Sequence, residues 1–353
     1  MVWIKSNGRS DWGPGVRYGH GKRAPRMHAM VLKTPGSPLD WTELPDRQPG
    51  LHEVRVRVSV CGVCRTDLHV LDGELPNPKT PIIPGHEIVG RVDAIGPGVT
   101  GLHLNQRVGI PWLGHTCGAC QFCATGHENL CDHPLFTGYT RDGGFATSTI
   151  ADARYVFPLG EAGADAALAP LLCAGLIGWR SLVMAGDGTR IGLYGFGAAA
   201  HIVAQVAVWQ GRSVFAFTQT GDVAAQEFAR GLGARWAGGS GDMPPEPLDA
   251  AIIYAPVGGL VPLALRAVRK GGRVVCAGIH MSDIPSFAYN LLWEERQLVS
   301  VANLTRRDGL DFLGLLPKIG LVTKTTLYPM QDANRALDDL RAGRFEGAAV
   351  LRV

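Results

Sequence analysis

From His28 onward the chain is a string of short apolar-rich segments, MHAMVL, EVRVRVSVCGV, HEIVGRVDAIG and QRVGIP, separated by turns rich in Gly and Pro. VRVRVSV alternates strictly, so every second side chain faces one side, the pattern of a half-buried strand. Period-two segments with such breakers predict a compact, mostly β domain of barrel-like form. Near Ala164 the period changes. ADAALAPLLCAGLIGWRSLV has helical spacing. From IGLYGFG to about Val301, apolar strands (IGLYG, SVFAF, AAIIYA, GRVVCAG) then alternate with helical stretches (AAAHIVAQVAVWQ, DVAAQEFARGLG, GLVPLALRAVRK). That alternation predicts a doubly wound parallel sheet. The tail, QDANRALDDLRAGRFEGAAVLRV, reads as a helix followed by an edge strand that returns to the first domain. The expected organisation is therefore α/β: an extension over 1–27, a β-rich domain over 28–180 completed by 303–353, and a parallel-sheet domain over 181–302.

Composition narrows the class. With 353 residues, 46% apolar and 18% charged, the chain suits two globular domains, and no apolar run is long enough to span a bilayer. A formal charge of +3 without a concentrated basic face argues against a nucleic-acid partner. Eight cysteines in a chain of this length do not make a disulfide scaffold; their CxxC spacing favours metal sites in a reducing compartment, hence a cytoplasmic protein. Residues 1–27 are rich in Gly and Arg and lack the apolar core of a secretion signal. They read as a surface-lying extension; the alternative is a subunit-contact arm, in which Trp3, Trp12 and Tyr18 would gain from burial.

LYGFGAAA carries the first chemistry. Gly195, Gly197 and Ala200 form GxGxxA directly after an apolar strand and at the start of a helix, the context that such a motif needs to be informative. Gly195 permits the tight turn, Gly197 lets backbone approach a pyrophosphate, and Ala200 lets helix pack on strand. The helix N-terminus offers free N–H groups to phosphate. A carboxylate usually ends the next strand when NAD is preferred, but here that end is Thr218-Gln219-Thr220. Without the acid a 2′-phosphate is not repelled, so NADP is expected over NAD.

Two cysteine-containing sets suggest metal. In HTCGACQFCATGHENLC, Cys117, Cys120, Cys123 and Cys131 follow C-x2-C-x2-C-x7-C. The last gap does not match the bacterial ferredoxin run, and a thioredoxin-like pair needs no four thiols. Four sulfurs close a tetrahedral zinc site, which makes it structural. An open catalytic zinc needs three ligands, and three segments far apart in sequence supply candidates: CGVCRTDLH (61–69), PGHEIVG (84–90) and PLLCAG (170–175). Taken singly, Cys173 reads as a buried apolar residue and His86 as a turn histidine; together the segments offer two thiolates and an imidazole.

These motifs, CGVCRTDLH, IPGHEIVG, IPWLGHTCGACQFC, LCAG and YGFGAAA, stand in the order and at the approximate separations of one family. From about His28 to its end the chain resembles a zinc-dependent alcohol dehydrogenase of the medium-chain dehydrogenase/reductase family. The resemblance implies a GroES-like catalytic domain beside a Rossmann cofactor domain, and two Zn2+ per chain. Cys64, His86 and Cys173 would hold the catalytic ion, leaving Cys61 a strand residue, while Cys276 matches no motif and reads as core. Glu87 resembles a carboxylate that approaches zinc during ligand exchange, with a hydrogen-bond role as the alternative, and Asp67 one that orients the histidine ligand. Thr66 would accept the substrate proton and His69 pass it outward through the cofactor ribose; a plain surface histidine is the alternative for His69. Arg65 and Arg306 resemble phosphate contacts, whereas Arg307 reads as a solvated charge. Trp112 and Ala174 match pocket positions, an apolar wall suited to hydrophobic primary alcohols and aldehydes, although Trp112 also suits a core. Hydride would pass between these and NAD(P)(H). The family also implies a homodimer or homotetramer. Two competing readings are a zinc-free quinone or enone reductase on the same fold, which lacks the Cys64/His86/Cys173 set, and a non-catalytic binding protein.

Overall fold

The computed structural model describes residues 25–345 and 347–353. Residues 1–24 of the expected extension, with Trp3, Trp12 and Tyr18, lie outside the described residues. The expected boundary at 27 shifts: strand β1 (Arg26–Val31) already includes Arg26 and Met27, and it pairs antiparallel with β2 (Asp40–Pro45).

The β-rich part follows as β3 (Glu53–Val63), helix α1 (Arg65–Leu71), β4 (Glu87–Ile95), β5 (Arg107–Ile110), β6 (Leu113–His115), helix α2 (Gln121–Ala124), β7 (Leu135–Phe136), β8 (Ser148–Asp152) and β9 (Phe157–Pro158). VRVRVSV forms the expected half-buried strand along its whole length, burial alternating from Val54 to Val60. Beyond Val60, Cys61, Gly62 and Val63 are all buried, because β3 there runs between two neighbours under the site. Helix α3 (Asp165–Leu168) and a short 3-10 turn over Ala169–Leu172 lead to α4 (Ala174–Ala185). The helical spacing of 164–183 is thus broken at Cys173, whose φ of −125° and ψ of −74° interrupt it.

The parallel sheet comprises β10 (Arg190–Tyr194), β11 (Ser213–Thr218), β12 (Trp236–Gly239), β13 (Leu248–Ile253), β14 (Val268–Cys276) and β15 (Gln297–Ser300). Its spatial order is β12-β11-β10-β13-β14-β15, all parallel. Helices α5 (Ala198–Trp209), α6 (Val223–Gly231) and α7 (Leu260–Ala267) connect the strands, and the apolar runs of β10, β11 and β13 are buried from end to end. This is the doubly wound arrangement in which the order reverses between the first and fourth strands, opening a crevice at their carboxyl ends.

The chain closes with α8 (Arg306–Ile319), β16 (Thr325–Pro329), α9 (Ala333–Arg341) and β17 (Ala348–Arg352). The expected edge strand is instead internal: β17 lies between β3 and β16 in the sheet β16-β17-β3-β4-β5-β9. The reason is visible in its side chains, since Ala348 to Leu351 are buried on both faces. The edge is β16, a TTLYP segment with little alternation to announce it. Among the described residues no single helix is long and apolar enough to cross a membrane.

Candidate metal centres and active site

Three turns converge on one buried point. Cys64 precedes α1, His86 and Glu87 stand at the start of β4, and Cys173 occupies the break before α4. One ligand atom from each of the four lies within 4.8 Å of every other. The Cys64 and Cys173 sulfurs are 3.6 Å apart, close to the separation of about 3.8 Å that two thiolates at tetrahedral zinc would take. Neither ring nitrogen of His86 has a hydrogen-bond partner, nor does Glu87 Oε2, although all three atoms are buried. Buried polar atoms without partners are costly, and a cation bound by sulfur and imidazole removes that cost. The donors thus fit zinc, with Glu87 near enough to be a fourth protein donor.

Electrostatics within the cluster prepare it. The bond to Cys173 draws the Cys64 thiol well below its ordinary pKa against the effect of burial, whereas the same bond and burial push Cys173 up. Burial pushes Glu87 up as well, so its carboxyl resists ionisation beside the thiolate.

Asp67 organises the surroundings. Wholly buried, it accepts the Cys64 amide at 2.8 Å and the Gly85 amide at 3.2 Å, fixing both ligand turns, and its Oδ1 stands 3.2 Å from His86 Nδ1. Nδ1 has no hydrogen-bond partner, so contact with the histidine is chiefly electrostatic. Gly62 makes room for Glu87, its partner in the β3–β4 register. A Cβ at position 62 would lie 1.8 Å from Glu87 Oε2.

Thr66 Oγ1 is 3.7 Å from Cys64 Sγ, on the metal cluster, and the residue is buried. Trp112 packs edge-on against the His86 ring at 5.0 Å and stacks on Phe136 and Tyr139 at 5.2 and 5.7 Å. Sequence reasoning missed both of these partners; the only signal was two aromatics in LFTGYT, with no period to relate them to Trp112. Ala174, expected in the pocket wall, belongs to the core cluster of Leu171, Leu176 and Phe312. Cys61 is buried in β3, outside the ligand group, with its thiol pushed up by burial, and Cys276 packs half-buried against the core beside β14.

His69, near the end of α1, pairs through Nδ1 with Glu74, a residue for which the sequence offered no role. Arg65 is exposed at the first position of α1.

The second set also converges. Cys117, Cys120, Cys123 and Cys131 bring their sulfurs within 4.8 Å of one another. Backbone amides of Cys117 and His133 point at Cys131 Sγ, both at 3.3 Å, and that of Cys120 at Cys117 Sγ, at 3.4 Å. Amides of Asp132 and Cys123 hold the Cys120 thiol down at about 6, while burial lifts Cys131 to about 11. Four sulfurs fill a tetrahedral shell, so this centre has no position for substrate.

At the cofactor crevice, Gly195 follows β10 with φ +86°, and a Cβ there would meet Ala255 at 2.8 Å. Gly197 caps α5 with nothing within 4 Å of where its Cβ would stand, and Ala200 is fully buried. An open, side-chain-free helix N-terminus at the reversal of strand order fits a pyrophosphate. Thr218, expected among the cofactor-binding residues, ends β11. It is buried, 3% exposed, and its hydroxyl donates toward the Gln219 and Gly238 carbonyls and accepts from Gln226 Nε2 at 3.2 Å. The solvent-facing residues at that strand end are Gln219 and Thr220. Arg306, expected to bind phosphate, instead bonds through Nε to Glu128 at 3.0 Å and lies over the Tyr155 ring. It joins α8 to the cysteine lobe.

Comparisons with known proteins agree with this geometry. Residues 50–161 match the family model of the alcohol dehydrogenase GroES-like domain. The "Probable alcohol dehydrogenase AdhA" of Mycobacterium tuberculosis is 45% identical over 339 residues, which cover 93% of this chain and 97% of that one. An alcohol dehydrogenase of Geobacillus stearothermophilus is 33% identical over 93% of this chain and 100% of its own. Among solved structures, a cinnamyl alcohol dehydrogenase of Sorghum bicolor superposes with a TM-score of 0.84 at 25% identity, covering 93% of this chain and 98% of that one. The chain belongs to the zinc-type medium-chain alcohol dehydrogenases, NAD(P)-dependent oxidoreductases that act on alcohols.

Proposed function

We propose that this enzyme interconverts hydrophobic primary alcohols and aldehydes, with NADP(H) preferred and two zinc ions per chain. The observation that carries the reading is the convergence of Cys64, His86 and Cys173 on a buried point beside Thr66 and under the stacked rings of Trp112, Phe136 and Tyr139. That convergence also argues against the zinc-free reductase.

When bound, zinc supplies a Lewis acid for the substrate oxygen and the nicotinamide carries the hydride. The chain does the rest. Cys64, His86 and Cys173 hold the metal, and Glu87 is poised to enter or leave its shell. Asp67 holds the two ligand turns in register. Thr66 accepts the substrate proton at Oγ1 while passing its own on, and His69 takes the proton toward solvent. Trp112, Phe136 and Tyr139 exclude water and favour an apolar chain. Gly195, Gly197 and Ala200 shape the pyrophosphate turn, and exposed Arg65 is suited to a phosphate. Arg306 is assigned to the lobe junction in place of a phosphate contact.

The NADP preference rests on Gln219 and Thr220, neither of which repels a 2′-phosphate. Gln219→Asp is expected to reverse it; kcat/KM for NADPH and NADH with a hydrophobic aldehyde tests this, and a parent enzyme that prefers NADH would contradict it. We also propose the division 26–180 with 303–353 against 181–302, a cytoplasmic location suited to eight unpaired thiols, and a homodimer or homotetramer. The dimer is supported by β15, an edge strand beside exposed Tyr289 and Trp293.

A further inference from the structure

Helix α1 ends in a tight reversal. Asp72 N–H bonds the Leu68 carbonyl at 2.8 Å, Gly73 adopts φ +73°, and Glu74 N–H returns to the His69 carbonyl at 3.0 Å. The turn therefore carries the Glu74 carboxylate back onto the ring of the histidine five residues before it, and Glu74 Oε2 pairs with His69 Nδ1. Side-chain exposures of 16% for His69 and 54% for Glu74 place the ring inside the cleft and the carboxylate at its mouth. The other ring nitrogen is the one left to face a bound cofactor. Across the cleft stands His280, on the loop after β14, with ring centroids 6.1 Å apart. From α9, Arg341 adds a cation near Glu74 while bonding Asp72 at 2.6 Å.

We propose that Glu74 is a positioning residue of the proton path: it holds the proton of His69 on Nδ1, so that Nε2 is the base presented to the cofactor. The inference rests on the relay assigned to His69 above. An ionised carboxylate has no proton to give, so its partner nitrogen must be the donor, and neutral imidazole then has one acceptor left. The bond to His69, with the charges of His280 and Arg341, lowers the Glu74 pKa from its ordinary value, which favours the ionised form. In alcohol oxidation the proton leaving Thr66 Oγ1 forms an N–H bond at Nε2, the imidazolium is balanced by Glu74, and that same Nε2–H bond then breaks to a water, which restores the Nδ1–H form. No other bond changes. A buried histidine ligand oriented by a carboxylate uses the same device; here it serves a histidine that binds no metal.

The test compares Glu74→Gln and Glu74→Asp with the parent. Nitrogen-15 NMR of the histidine rings, with His69 assigned through His69→Gln, should show the Nδ1–H form in the parent and in Glu74→Asp, and a tautomer mixture in Glu74→Gln. This readout needs no turnover. Alcohol oxidation by Glu74→Gln should lose roughly tenfold in kcat with KM nearly unchanged, less than the loss on removing a general base outright. In the His69→Gln background Glu74→Gln should cost nothing further. An unchanged tautomer in Glu74→Gln, or an equal loss in the presence and absence of His69, overturns the proposal. A parent enzyme that carries two zincs yet oxidises no alcohol overturns the functional reading, and this inference with it.

Discussion

Gly62 and Glu87 show how a ligand site is built from a missing atom. Any side chain at 62 would collide with the Glu87 carboxylate, so Gly62→Ala should cost about 1–3 kcal/mol, the usual range for forcing a group into a filled space. Adding Glu87→Ala should recover only part of that loss, because the Glu87 Cβ at 2.9 Å remains; denaturant unfolding of the single and double variants checks it. Cys173→Ser should reduce zinc from two ions to one per chain with the fold retained, because the cysteine lobe shares no ligand with it. At this scale much was legible. Cys64, His86 and Cys173 stood out by motif, but CGVC leaves two cysteines equal, and it is β3 that buries Cys61 away from the cluster. The neighbours of Thr218, Arg306 and Ala174 were not legible for one reason: sequence gives a residue's place along a strand or helix, and not which way its side chain turns. The aromatic partners of Trp112 come from β7 and the turn after it, more than twenty residues on, and no local pattern connects them.

Among the elements, the doubly wound order was legible because buried parallel strands are continuous apolar runs separated by amphipathic helices. The break at Cys173 was not, since PLLCAG keeps a helical spacing through a turn that is not helical. That break aims the thiol at the metal cluster. Asp249, at the start of β13, ties the sheet together in a way no motif reveals. It accepts the amides of Thr189 and Arg190 and the guanidinium groups of Arg190 and Arg269. Burial works against its charge, but the Arg190 and Arg269 bonds outweigh burial and hold its pKa well below the usual carboxylate range. A depressed folded pKa means stability that is present above the unfolded value of about 3.9 and lost as pH falls toward the folded one. The parent should therefore be more stable than Asp249→Asn near neutrality, and the gap should close in acid. Unfolding midpoints of both proteins across that range test it; a gap independent of pH would contradict it.

For the whole molecule, the tail is the unexpected structural member. β17 is internal in its sheet, between β16 and β3, the strand that leads to Cys64. Truncation after Thr326 should therefore abolish folding of the zinc-bearing domain, seen as loss of bound zinc and of β-sheet circular dichroism; a truncated chain that stays folded and metallated refutes this. Sequence placed the tail back on the first domain but put its strand at the edge, because AAVL does not say how many neighbours it will have. The most direct measurement of the central claim is zinc per chain by elemental analysis, made on the same sample as the rates of hydrophobic-aldehyde reduction by NADPH and NADH. Two zincs with turnover, faster with NADPH, is the predicted result. One zinc and no turnover with either cofactor would leave only the cysteine lobe metallated and contradict the catalytic site described above.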